Sequence, residues 1–176
     1  MQPKKPLKQT TDLRPKKQPK PQSKPNRTKL RLDADEWFSK YVRLRDSERI
    51  GDKFVGQCIT SGKEMTVCWY DEEKKKWRWT KGSNLGHFVG RGIDGGWHWL
   101  RYDEENCNLQ SAYDNAWRDK ESMISAYKKA LDMKYGTGTA KKLIKAGKQH
   151  YSLTREDLEQ VIHDSKEALA FYIGQV

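Results

Sequence analysis

Apolar side chains recur at helical spacing just after residue 32. Trp37, Tyr41 and Leu44 share one face of a helix that runs to about residue 47, with Asp33 placed to cap it. The period then shortens. Residues 54–59 and 65–70 alternate as a hairpin around Ser61-Gly62-Lys63, and Asp71 to Lys76 forms a charged turn. Residues 77–80 and 85–90 read as further strands, joined by Lys81-Gly82-Ser83-Asn84. Trp77-x-Trp79 and Trp97-x-Trp99 have strand period, which predicts four indoles on common faces of neighbouring strands. Between them Gly90 to Gly96 is a glycine-rich loop with no phosphate-loop or dinucleotide pattern. Helical patterns follow at about 107–118, 120–135, 138–147 and 154–171. Thr154 and Asp157 make a capping box for the last, whose stripe of Leu158, Val161, Ile162 and Leu169 suits either the core or a homodimer. Strands followed by helices define an α+β fold: a small antiparallel β-hairpin core packed with several α-helices.

Composition divides the chain in two. All six prolines fall at or before residue 25, and residues 1–31 hold eleven Lys or Arg against Asp12 alone. Residues 32–176 hold the other 24 basic and 23 acidic side chains, so the first segment carries +10 of the formal +11. With so little apolar surface, residues 1–31 are expected to be a disordered basic arm. Lys4, Lys5, Lys16, Lys17 and Lys20 are its candidate phosphate contacts. The arm lacks the apolar stretch of a secretion signal, and no run reaches membrane-spanning length. Residues 32–176 suffice for one domain, with a core at about 54–118 and C-terminal helices at about 120–172.

Candidate chemistry lies in that core. His87 is followed nineteen residues later by Asn106 and nine further on by Asn115. This is the order and spacing of an HNH-type nuclease site, in which a histidine deprotonates water, an asparagine orients it and a divalent cation holds the phosphate. Such sites usually carry Asp or His just before the general base; here that position is Gly86. Asp103 is the first candidate to replace that metal ligand, with Asn115 as the other. Arg91 and Arg101 are candidate phosphate clamps. His98, between two tryptophans, is read as structural or DNA-contacting, and His150 and His163 as surface residues.

The surrounding motifs resemble the NinG family of phage recombination proteins, also called Rap. Trp37-Phe38-Ser39-Lys40-Tyr41-Val42-Arg43-Leu44-Arg45-Asp46 is similar to the family's opening helix. Gly56-Gln57-Cys58-Ile59-Thr60-Ser61-Gly62-Lys63 is similar to its first knuckle, Leu85-Gly86-His87-Phe88-Val89 to its histidine strand, and Arg101-Tyr102-Asp103-Glu104-Glu105-Asn106-Cys107-Asn108-Leu109-Gln110 to its asparagine segment. Tyr127, Leu131, Lys134-Tyr135-Gly136 and Leu153-Thr154-Arg155-Glu156-Asp157-Leu158 continue the match, which runs from about 32 to 170. The resemblance implies a ββα-metal core and a Mg²⁺- or Mn²⁺-dependent endonuclease acting on branched or single-strand-containing DNA in the cytoplasm of a phage-infected bacterium. His87 and Asn106 would be its catalytic residues. The alternative is a recombination accessory protein that binds junctions on a degenerate HNH scaffold without cutting.

One departure is specific. The family's two Cys-x-x-Cys pairs, the ligand set of a structural zinc, are here Cys58/Ser61 and Ser111/Asp114. A structural zinc is therefore not expected, and Cys58 is a remnant. Cys68 and Cys107 lack partners at zinc-ligand spacing, although either could join Cys58 and Asp114 in an irregular site. Burial of the four indoles, of the order of 10 kcal/mol at half coverage, would replace the metal's contribution. If the arm supplies phosphate contacts, deleting residues 1–30 weakens DNA binding about equally for all sequences. It also flattens the slope of log K against log salt by about 0.9 per lost contact on duplex DNA; an unchanged slope assigns the arm to solubility.

Overall fold

The computed structural model describes residues 27–92, 98–116, 120–149 and 152–174. The arm up to residue 26, Trp97, His150 and residues 93–96 of the glycine-rich loop lie outside them. Within this range the protein is mixed α+β, with five α-helices and two antiparallel sheets. Helix α1 spans Arg27–Arg45. Strands β1 (Ser47–Ile50), β2 (Lys53–Gln57), β3 (Glu64–Asp71) and β4 (Lys76–Trp79) form one sheet in that order. Strands β5 (Ser83–His87) and β6 (Cys107–Ser111) pair as the second. Helices α2 (Ala112–Ala116), α3 (Lys120–Tyr135), α4 (Thr139–Ala146) and α5 (Arg155–Gly174) complete the chain.

Helix α1 begins six residues before the expected cap, so Asp33 lies inside it. Its buried stripe is Leu30, Ala34, Phe38 and Val42, while Trp37 and Tyr41 are only half-buried. Helix α5 covers that stripe, with Leu30 and Ala34 packing with Leu153 and Leu158. The capping box forms: Thr154 N–H donates to Asp157 Oδ2 at 2.7 Å, and Asp157 N–H to Thr154 Oγ1 at 3.1 Å.

Two further expectations are corrected. Residues 107–111 are a strand, not the first turn of a helix, because Cys107 to Ser111 pair in register with His87 to Ser83. The segment Trp99–Tyr102 is a 3-10 helix rather than a strand, so the proposed indole ladder does not form with Trp99. Trp77 and Trp79 do flank the core of Leu44, Phe54, Val67 and Leu109. Strand β1, unforeseen, pairs with β2 beyond the end of α1.

Strand β6 is buried from Cys107 to Gln110, although three of its five residues are amides or serine. Each polar side chain has partners. Asn108 Oδ1 accepts from Lys134 Nζ at 2.9 Å and Tyr135 Oη at 2.9 Å, and its Nδ2 donates to Glu105 O at 3.1 Å. Asp46 Oδ2 accepts the Leu109 N–H at 2.9 Å, while its other oxygen takes Arg45 Nε at 2.9 Å and Lys134 Nζ at 2.7 Å. Arg45 Nη2 also donates to Cys107 O at 2.9 Å. The end of α1 therefore clamps β6 to α3. Removing one partner of a buried ionic network leaves the others uncompensated. Asp46→Ala is expected to lower the unfolding free energy by about 3–5 kcal/mol in urea melts.

Candidate active site

His87 ends β5 and lines a cleft of about 390 Å³ between that strand and α1. Asp35, Glu36, Ser39 and Arg43 of α1 form one wall; Asn84, Leu85, His87, Arg91 and Asn115 form the other. His87 and Asn115 thus line one cavity. A larger hollow of about 600 Å³, near Asp46, Gly56 and Lys134, contains no histidine.

The ring of His87 is fixed from behind. Nε2 lies 3.1 Å from the carbonyl oxygen of Arg101. A carbonyl only accepts, so Nε2 carries the proton and Nδ1 keeps its lone pair. Burial, aided by the positive charges of Arg91 and Arg101, pushes the imidazole down to about 4. The ring is neutral at physiological pH, with one basic nitrogen.

Asn106 is fully buried and acts through the backbone. Its Oδ1 accepts the Val89 N–H at 2.8 Å, and its Nδ2 donates to Val89 O at 3.2 Å and Leu100 O at 2.8 Å. Val89 follows His87 by two residues and Leu100 precedes Arg101. Asn106 therefore holds together the two backbone segments whose hydrogen bond orients the imidazole. Its own carbonyl accepts the Phe88 N–H at 3.0 Å.

Two assigned roles change. Asp103 is not among the cleft residues; its carboxylate accepts the Asn106 N–H at 2.8 Å, and burial raises its pKa. It shapes the turn before β6 instead of replacing the ligand missing at Gly86. Arg101 is bound bidentately to Asp35 at 2.7 and 2.6 Å, so it braces α1 rather than lying free for phosphate. Arg91 is exposed at the cleft, and the lysines named in the arm lie outside the described residues. Gly86 has a steric reason: a Cβ there would sit 2.9 Å from Cβ of buried Gln110. No aspartate fits that position without moving Gln110.

Cys58, Ser111 and Asp114, compared above with paired cysteines, converge, and Thr60 rather than Ser61 joins them. Asp114 Oδ2 accepts from Cys58 Sγ at 2.9 Å and Thr60 Oγ1 at 2.8 Å. The Ser111 N–H points to Cys58 Sγ at 3.2 Å, and Ser111 Oγ accepts the Asp114 N–H at 3.0 Å. One thiol, two hydroxyls and one carboxylate, hydrogen-bonded to one another, are a poor donor set for zinc but a complete polar knot. Cys68 and Cys107 are buried in separate apolar clusters and do not join it. His98 proves structural: its Nε2 lies 2.7 Å from Gln149 O, and its Nδ1 accepts the Leu100 N–H at 3.2 Å. His163 is exposed beside Glu167 at 3.8 Å.

Sequence reading missed Asp35, Glu36 and Arg43. Their signal is a polar stripe at Asp35, Ser39 and Arg43, one helical face away from the buried stripe of α1. It also missed a second basic region: residues 122–154 hold seven lysines against Asp132 alone. No helix among the described residues is long and apolar enough to cross a membrane. Comparison with known protein families, curated proteins and solved structures finds no match for this chain.

The depressed imidazole pKa sets a pH dependence. From its ordinary value near 6.5 down to about 4, the unfolded chain binds a proton at His87 that the folded chain refuses. Stability is therefore full above pH 6.5 and falls as the solution is acidified through this window. Between pH 6.5 and 5 the loss from this group reaches about 2 kcal/mol. Thermal melts of His87→Gln should show a shallower decline over that interval than those of the unchanged protein.

Proposed function

We propose that the protein is a metal-dependent endonuclease for branched or single-strand-containing DNA, with His87 as general base. The observation that carries this reading is His87 itself, bonded through Nε2 to the Arg101 carbonyl and lining a cleft that also holds arginines and oxygen donors. A water beside Nδ1 gives up its proton to that nitrogen as its oxygen attacks phosphorus. The bond from phosphorus to the leaving oxygen breaks, and that oxygen takes a proton from solvent. Asn106 keeps the imidazole aimed by pinning Val89 and Leu100.

The cleft offers hard oxygen donors suited to Mg²⁺ or Mn²⁺: the amide of Asn115 and the carboxylates of Glu36 and Asp35. When bound, such an ion would supply charge stabilisation of the phosphate. Asp35 oxygens already accept from Arg101 and Tyr102, and Glu36 accepts from Lys40. That engagement favours a second reading, a protein that holds junctions without cutting. The arm and the lysines of α3 and α4 suit phosphate contact under either reading.

Cleavage of a four-way junction with Mg²⁺ or Mn²⁺, against an EDTA control, separates the two. His87→Ala is expected to reduce metal-dependent cutting about 10²–10⁴-fold while leaving junction affinity nearly unchanged. Asn106→Ala acts in the same direction through the backbone. Tight binding with no cutting by the unchanged protein selects the second reading, and cutting that survives His87→Ala removes the proposed base.

A further inference from the structure

Arg43 differs from Arg101 and Lys40, its neighbours beside the cleft. Arg101 is paired with Asp35 and Lys40 with Glu36, whereas no carboxylate among the described residues pairs with Arg43. Its Nε donates to Ser39 O at 3.1 Å, and its Nη1 lies 3.1 Å from Ser83 O and 3.4 Å from Ser83 Oγ. The indole of Trp79 lies against the guanidinium, with its ring centroid 4.6 Å from Cζ. These contacts hold the guanidinium plane and leave Nη2 without an acceptor among the described residues. Burial pushes this arginine down to about 10, still charged at neutral pH but poorly compensated. A largely buried, immobilised cation without a counter-charge is a receptor for an anion.

We infer that Arg43 anchors a phosphate of the bound DNA strand, its Nη2 donating to a non-bridging oxygen in the same cleft that holds His87. With Nε and Nη1 already engaged, Nη2 offers one charge-assisted donor at a fixed position rather than a diffuse positive surface. Trp79 stiffens the guanidinium from below, and exposed Arg91 on the opposite wall supplies a second positive charge to the same strand. Through Ser83 O, Arg43 also ties α1 to the start of β5, the strand that ends on His87. This inference rests on reading the cleft as a phosphodiester site, and it does not require that the strand be cut.

Binding of a fluorescein-labelled four-way junction by the full chain tests it in EDTA, where metal-dependent cutting is absent. About 0.2 M salt screens loose surface contacts. Arg43→Met is expected to weaken affinity about tenfold to a hundredfold, as loss of one charge-assisted contact. Arg43→Lys should recover part of that loss, because it keeps the charge but not the bonds to Ser39 and Ser83 that hold it in place. Unchanged affinity in a folded Arg43→Met protein overturns the anchor. If Arg43→Met does not fold, tryptophan fluorescence decides on the native arginine. Addition of a short unlabelled oligonucleotide should produce a change that Trp79→Phe abolishes, and an identical change in both proteins overturns the proposal. In cleavage assays with Mn²⁺ the anchor should appear as a raised KM for Arg43→Lys. A protein that cuts nothing yet loses affinity on Arg43→Met keeps the anchor and sets aside the nuclease reading.

Discussion

Burying a strand made largely of polar residues is the constraint on which the other elements depend. Cys107 to Gln110 are inaccessible, and an amide in such a place destabilises the fold unless its donors and acceptors are met. Each neighbour of β6 meets one of those needs. The end of α1 supplies Arg45 and Asp46, α3 supplies Lys134 and Tyr135, and the knuckle after β2 supplies Cys58 and Thr60. Because these bonds are directional, they fix orientation and register as well as proximity.

The candidate chemistry follows from that scaffold. The residue just before β6, Asn106, closes the neck of the loop that follows β5, and so sets the distance between His87 and the Arg101 carbonyl. Strand β5 is placed by β6 and by Arg43 at its first residue. The bidentate pair Arg101–Asp35 then joins the back of the histidine site to the wall of the cleft. A catalytic base placed in this way needs little reorganisation when substrate arrives, which is where such sites gain most. Hydrogen bonds among Cys58, Thr60, Ser111 and Asp114 connect the turn after β2 to the end of β6 and the start of α2.

Much of this was legible in the sequence where apolar period dominates. Helices α3, α4 and α5 lie close to their predicted spans, as does the hairpin of β2 and β3, because their buried positions are mostly aliphatic or aromatic. The meeting of His87 with Asn115 was legible from spacing. Strand β6 was not, because Asn108 and Gln110 occupy core positions that a hydrophobic pattern reads as solvent-facing. The start of α1 was hidden because Arg27, Lys29 and Arg31 continue the charge of the arm. Asp103 looked like the available carboxylate by proximity in sequence. Asp35 reaches the cleft instead, because the helix it sits on packs across β5.

The proposed chemistry depends on His87 being a neutral imidazole with its proton on Nε2 and its lone pair on Nδ1. Nitrogen-15 NMR of the histidine side chains, comparing the unchanged protein with His87→Gln to assign the signal, reads tautomer and titration together. The expected result is an Nε2–H tautomer at pH 7 that stays neutral until the pH approaches about 4. An Nδ1–H tautomer, or an imidazolium already formed near pH 6.5, would contradict it.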